Sequence, residues 1–113
     1  QYVTFVERDK SLYKNILKNV DHLGYAEKIE AACSDYYKWL KTNKRKFDFI
    51  FLDPPFDQIK YENLLRAIDA GEMLCAEGKI FLESNKHTEL ELSSNRKVLK
   101  EKIIGDVRLM ILQ

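Results

Sequence analysis

The sequence is poor in residues that staple a chain or hold a metal: 113 residues include two cysteines and two histidines. Cys33 and Cys75 are far apart and lie in apolar stretches. They read as small buried hydrophobes of a reducing compartment rather than as a disulfide. No Cys or His spacing matches a zinc site, so no metal is expected. Long apolar runs are missing as well. None approaches the roughly 20 residues that a membrane span needs, and no membrane partner is expected. The run from Gln1 to Val6 lacks the basic start and long apolar stretch of a secretion signal, so the expected location is cytoplasmic. Neither sign of charge dominates: 19 basic and 18 acidic residues leave a net charge of +1. A nucleic-acid partner would therefore have to be met by a local patch. Glycine is scarce and scattered, at positions 24, 71, 78 and 105, and none of these forms a glycine-rich loop.

What is present is a globular composition, 45% hydrophobic and 33% charged, without repeats, low-complexity tracts or interdomain linkers. The length suits one domain at most. The chain opens without a Met, directly into a strand-like run, and is expected to be cut from something longer. Tyr2 to Val6 reads as a buried strand. Asp9 or Ser11 can cap a helix in which Leu12, Ile16, Leu17, Val20 and Leu23 recur at helical spacing, with Gly24 where a helix end favours a left-handed residue. Lys28 to Cys33 reads as a second strand. Ser34 or Asp35 then caps a short helix through Trp39 and Leu40. Phe47 to Leu52 is nearly all apolar, like a central parallel strand. A helix follows at Tyr61 to Gly71 with Leu64, Leu65 and Ile68 inward, then a strand at Lys79 to Glu83. Lys97 to Ile104 and Val107 to Leu112 form two strands around the tight-turn pair Gly105-Asp106. The alternation implies an α/β fold with a mostly parallel sheet that ends in an antiparallel hairpin at or near one edge.

In open α/β sheets ligands bind beyond the carboxyl ends of the strands. Four strand ends therefore matter: Glu7-Arg8-Asp9, Ser34-Asp35-Tyr36, Asp53-Pro54-Pro55-Phe56 and Glu83-Ser84-Asn85. The third is the most informative. Two prolines after a buried strand fix the backbone and remove two N–H donors, so the carboxylate and the free carbonyls that remain are all acceptors. The exocyclic NH2 of a nucleic-acid base offers two donors. Accepting both, with the Asp53 side chain and the Pro54 carbonyl, would draw the amino group out of conjugation and free its lone pair to attack a methyl sulfonium. Phe56 supplies an apolar face on which an extruded base can stack. The alternative for this motif is a rigid loop with an Asp that caps the next helix.

Glu7 is suited to the two hydroxyls of a ribose; its alternative is a solvated strand end. Asp35 could accept from the adenine amino group of a cofactor, or could be a plain helix N-cap. The three acids gain weight together because each ends a successive strand at one edge of the sheet. The basic run Lys41 to Lys46 looks like an RNA patch, but it precedes a strand and so lies at the edge opposite Asp53; it reads as a solvated loop. His87 reads as an incidental loop histidine. Lys60 and Lys86 lie nearer the expected site and are candidates for phosphate contacts.

The segments Thr4 to Ser11, Lys18-Asn19-Val20, Phe49 to Phe56 and Ile80 to Ser84 resemble the RsmD family, bacterial enzymes that methylate the N2 of a guanine in small-subunit (16S) ribosomal RNA. The resemblance covers essentially the whole chain. It implies a Rossmann-like class I methyltransferase fold, with residues 1–113 as the C-terminal part of a single domain that uses S-adenosylmethionine. Its partner would be small-subunit ribosomal RNA or an assembling 30S particle. Carried over, Glu7, Arg8, Ser34, Asp35 and Tyr36 would hold the cofactor, Glu7 at the ribose and Asp35 with Tyr36 at the adenine. Asp53, Pro54, Pro55 and Phe56 would hold the target guanine. No metal and no covalent enzyme intermediate are implied. The sequence departs from the family in lacking its glycine-rich cofactor loop and first strand, which would precede Gln1. In the family that strand lies between the strands ending at Glu7 and Asp53, so two sheet halves with an unpaired gap are expected. Rival readings are an N6-adenine DNA or RNA methyltransferase, a noncatalytic methyltransferase-like RNA-binding module, and, last, a dinucleotide-dependent oxidoreductase.

Overall fold

The computed structural model describes residues 1–54 and 60–113. They fall into two compact units, residues 1–43 and residues 44–113.

In the first unit β1 (Val3–Glu7) leads to α1 (Lys10–His22), a 3-10 turn (Ala26–Lys28), β2 (Ile29–Cys33) and α2 (Tyr36–Thr42). Both helices start where the sequence supplies a cap. The Asp9 carboxylate accepts from the N–H groups of Ser11 and Leu12 at 2.8 and 2.9 Å, which satisfies two donors that a helix start otherwise leaves open. Asp35 does the same for α2, accepting from Tyr37 and Lys38. Gly24 follows α1 with φ 71°. β1 and β2 pair in parallel, from Val3↔Ile29 to Glu7↔Cys33, so their carboxyl ends share one edge. β1 departs from the buried strand expected of its composition: Val3 and Phe5 are 47% and 39% exposed. The reason is that β2 is its one sheet neighbour among the described residues. Cys33, also expected inside, is exposed because it closes a strand flanked on one side only; Cys75 is half-buried, and both thiols are free.

The second unit holds β3 (Phe47–Leu52), α3 (Tyr61–Ala70), β4 (Leu74–Asn85), β5 (Val98–Ile104) and β6 (Val107–Leu112). Its sheet runs β3-β4-β6-β5. β3 and β4 are parallel, whereas β6 is antiparallel to both β4 and β5. The expected hairpin is therefore present, with β5 outermost and the later strand inside it. The core follows from two periodicities. Along β4, Gly78, Ile80, Leu82 and Ser84 alternate with half-buried neighbours, the period-two pattern of a strand with one well-covered face. On α3, Tyr61, Leu64, Leu65 and Ile68 fall at i, i+3, i+4 and i+7 and are all buried, the apolar stripe of a packed helix. Met73, Met110 and Leu112 complete this core.

β4 is longer than the Lys79–Glu83 strand expected, because Gly78 acts as a close-approach residue rather than a breaker. The register shifts between Phe47↔Leu74 and Phe49↔Lys79. A Cβ at Gly78 would lie 2.9 Å from the Cys75 carbonyl oxygen and 3.0 Å from that of Phe47. Only glycine lets the irregular strand pass its neighbour so closely. Among the described residues β3 pairs with β4 alone, and Phe49 and Phe51 are 54% and 74% exposed. Its exposed aromatics cluster with a ring of β4: Phe51 stacks on Phe81 at 4.8 Å. Thus β1 and β3 each pair on one side only among the described residues, in two separate sheets.

Candidate functional site

The parallel register of β1 and β2 brings most of the expected cofactor residues together on residues 1–43. Ser34 N–H donates to the Glu7 carbonyl at 3.1 Å, which ties the first residue after β2 to the last residue of β1. Glu7 is half-buried, and one of its carboxylate oxygens accepts from Asp9 N–H at 2.8 Å. A carboxylate has about four acceptor sites, so this bond leaves capacity for ligand hydroxyls. Asp35 is half-buried and caps α2 through a single oxygen, Oδ1. The N-cap alternative for Asp35 is thus real geometry, and its second oxygen, Oδ2, takes no part in the cap. Ser34 Oγ donates to the Asp35 carbonyl at 3.0 Å. Arg8 is exposed.

Tyr36 stands beside Tyr37, with ring centroids 4.4 Å apart. Burial pushes its phenol up to about 12; the hydrogen bond and charge of Tyr37 and the charge of Asp35 add to this, and Arg8 opposes it. The phenol is therefore neutral through the physiological range and can donate or accept a hydrogen bond.

On residues 44–113, Asp53 follows β3 directly and is exposed, with Pro54 half-buried beside it. Pro55 and Phe56 lie outside the described residues. Lys60 is the exposed N-cap residue of α3 and makes no capping bond with its side chain. Lys86 Nζ pairs with Asp106 at 3.0 Å, and its backbone N–H donates to the Asp106 carbonyl at 2.8 Å. Its ammonium is thus committed to the hairpin turn. The fourth strand end is the most tightly held: Ser84 is fully buried, its Oγ accepts from Arg108 Nε at 3.3 Å, and Arg108 also donates to the Thr88 carbonyl. Asn85 Oδ1 accepts from His87 N–H at 2.9 Å, and His87 is exposed. In the basic run, Lys46 pairs with Glu72 at 3.6 Å, and both side chains are largely exposed. Those two residues precede β3 and β4, at the sheet edge opposite Asp53, as the sequence implied.

Sequence reasoning passed over Tyr61, Arg108 and Tyr37. Tyr61 carried a signal, since it sits one turn before Leu64 and Leu65 on the same stripe. Arg108 carried none, because its partner Ser84 is 24 residues away and meets it only through strand pairing. Among the described residues no cluster of His, Cys, Asp or Glu could hold a metal ion, and no helix is long and apolar enough to cross a membrane.

A parallel strand pair with its helices in residues 1–43, and a mixed sheet ending in an antiparallel hairpin in residues 44–113, are the elements of the Rossmann-like methyltransferase fold. The chain belongs to the family described as conserved hypothetical protein 95, whose model matches residues 1–113, and the likeness to RsmD proteins holds up. It is 32% identical to ribosomal RNA small subunit methyltransferase D of Haemophilus influenzae, over 98% of this chain and 59% of that protein. The protein of the same name from Buchnera aphidicola is 23% identical over 95% of this chain and 56% of its own length. The chain thus spans less than two thirds of these relatives. Among solved structures, a candidate methylase from Haemophilus influenzae superposes with a TM-score of 0.89 at 30% identity, covering 99% of this chain and 71% of that one.

Proposed function

We propose that residues 1–113 are the C-terminal part of one S-adenosylmethionine-dependent methyltransferase domain that methylates the exocyclic N2 amino group of a guanine in small-subunit ribosomal RNA. The substrate is naked RNA or an assembling 30S particle, in the cytoplasm. The observation that carries this reading is Asp53-Pro54 at the carboxyl end of β3, in a chain whose curated relatives are named as ribosomal RNA methyltransferases.

The donor and acceptor chemistry of residues 1–43 fits the cofactor. Glu7 and Asp35 put two carboxylates at the ends of adjacent parallel strands, where a ribose offers two hydroxyl donors and an adenine offers an amino group. Arg8, Ser34 and Tyr36 complete the proposed cofactor set. When bound, S-adenosylmethionine supplies an electrophilic methyl group on a sulfonium. The work of the chain's own residues lies at the base. The Asp53 carboxylate and the Pro54 carbonyl accept the two N–H bonds of the target amino group and turn its lone pair away from the ring. Pro55, which has no N–H, adds no competing donor, and Phe56 offers an apolar ring on which the extruded base can stack. Lys60 is exposed and suited to a phosphate. Lys86 would have to exchange its partner Asp106 for one, at a cost of about 1 kcal/mol or less for such a surface pair.

The test is to incubate the full-length protein with S-adenosylmethionine and unmodified small ribosomal subunits, digest the RNA, and identify methylated nucleosides by mass spectrometry. N2-methylguanosine is expected with the wild type and should vanish with Asp53→Ala. N6-methyladenine on DNA in place of a ribosomal product would move the protein to the rival enzyme class. No product on either would leave a noncatalytic binding module.

A further inference from the structure

We propose that Tyr61 is a positioning residue for the Asp53 acceptor, its hydroxyl pinning the first turn of α3 to the end of β4 beside the strand end that carries Asp53. This rests on the reading of Asp53 as the group that receives the target amino group.

The geometry that carries it is a pair of anchors. β3 is held by the ladder with β4 as far as Leu52↔Leu82, and Asp53 is the first residue beyond it. Residues 53–60 then lead to α3, whose first residue is Tyr61. Its side chain turns back to the same strand end: the hydroxyl donates to the Glu83 carbonyl at 3.1 Å, one residue past the last ladder pair. The end of β3 and the start of α3 are therefore held by neighbouring residues of β4, Leu82 and Glu83. That strand end is itself braced by the buried Ser84, by Arg108 and by the Thr88 carbonyl.

The hydroxyl is not needed to fill space, since a Phe ring would occupy the same volume. Tyr61 is 2% exposed, and burying a phenol costs free energy unless it is hydrogen-bonded. Its retention here points to the bond rather than the bulk. The phenol also senses the acceptor. Burial raises its pKa, and the charges of Asp53 and then Glu83 raise it further, against Arg108. The Asp53 carboxylate thus lies within electrostatic reach of the buried hydroxyl. Helix capping does not account for the arrangement, because α3 starts at Lys60 without a side-chain cap.

Tyr61→Phe in the full-length protein tests this through two readouts that a core-filling role would not move. The turnover number on small ribosomal subunits should fall about tenfold, the scale at which a small misplacement of a reacting group is felt, while the KM for S-adenosylmethionine stays within about twofold. Amide exchange should accelerate in the first turn of α3, and stay slow at Ile80 and Leu82. Wild-type turnover in Tyr61→Phe, or exchange that rises equally at Ile80 and Leu82, would overturn the proposal and leave Tyr61 as packing. A wild type that methylates nothing would overturn the reading of Asp53 and this role with it, whereas an active wild type beside an unimpaired Tyr61→Phe sinks the Tyr61 role alone.

Discussion

Residues 1–43 and 44–113 each carry acids at strand ends, but they support them by different means. Among the buried apolar residues, Val20 alone lies in the first unit, whereas Tyr61, Leu64, Leu65, Ile68, Met73, Ile80, Leu82, Met110 and Leu112 lie in the second. The first unit holds Glu7 and Asp35 through a two-stranded ladder and two aspartate caps. The second holds Asp53 on a four-stranded sheet backed by a helix stripe. A two-stranded sheet is marginal by itself, whereas three or more strands with a covered face can stand alone. Local hydrogen bonds therefore suffice to shape a polar half-site, but apolar burial decides which half resists opening. A ligand that binds a weakly held half also stabilises it more visibly, through mass action on the folded form.

The contrast can be broken most directly in the two hydrophobic sets. Leu82→Ala should lower unfolding free energy by about 2–5 kcal/mol, the range for a buried leucine, while Leu17→Ala, at a side chain 42% exposed, should cost about 1 kcal/mol or less. Urea unfolding of both variants measures this, and equal losses would erase the distinction between the units. The next effect concerns the caps. Asp9→Ala removes the acceptor for Ser11 and Leu12 and should cost about 1 kcal/mol. Exchange should rise in the first turn of α1 and leave β4 unchanged; a rise in β4 would mean that the units do not open separately. The smallest effect is alkaline. The Tyr36 phenol titrates near 12 in the fold against an ordinary 10.0. Below 10 both states keep the proton. Between 10 and 12 the unfolded chain loses it while the folded chain retains it, so stability falls as pH rises and this contribution is gone above 12. Tyr36→Phe should flatten the decline of the urea midpoint over that range. An identical decline in the variant would show that Tyr36 is not its source.

Most of the architecture was legible because its signals are local. Asp9 and Asp35 announced two helix starts, and the stripe of Leu64, Leu65 and Ile68 announced α3. Gly105-Asp106 announced the hairpin. The errors came where a residue's meaning depends on a distant neighbour. Gly78 falls just before the strand expected at Lys79 to Glu83, yet it belongs to β4, where the Phe47 carbonyl passes close beside it. The exposure of Phe49 and Phe51 likewise depends on what flanks β3, which pairs with β4 alone among the described residues. The candidate site divides in the same way. Glu7, Asp35 and Asp53 were legible as strand-end acids. The bond from Tyr61 to Glu83 spans 22 residues and emerges only once the helix lies on the sheet.

The position of β6 has a consequence for how the sheet comes together over time. β6 lies between β4 and β5, so β5 has no hydrogen-bonded neighbour until residues 107–112 are available. The hairpin can close early and locally, on the microsecond scale of a tight turn, helped by Gly105 at φ 59°. It must then dock as a pair on β4. As a nascent chain emerges, Val98, Leu99, Ile103 and Ile104 are therefore laid down before the strand that shelters their backbone, and β4 and β5 stay unjoined until β6 has been made.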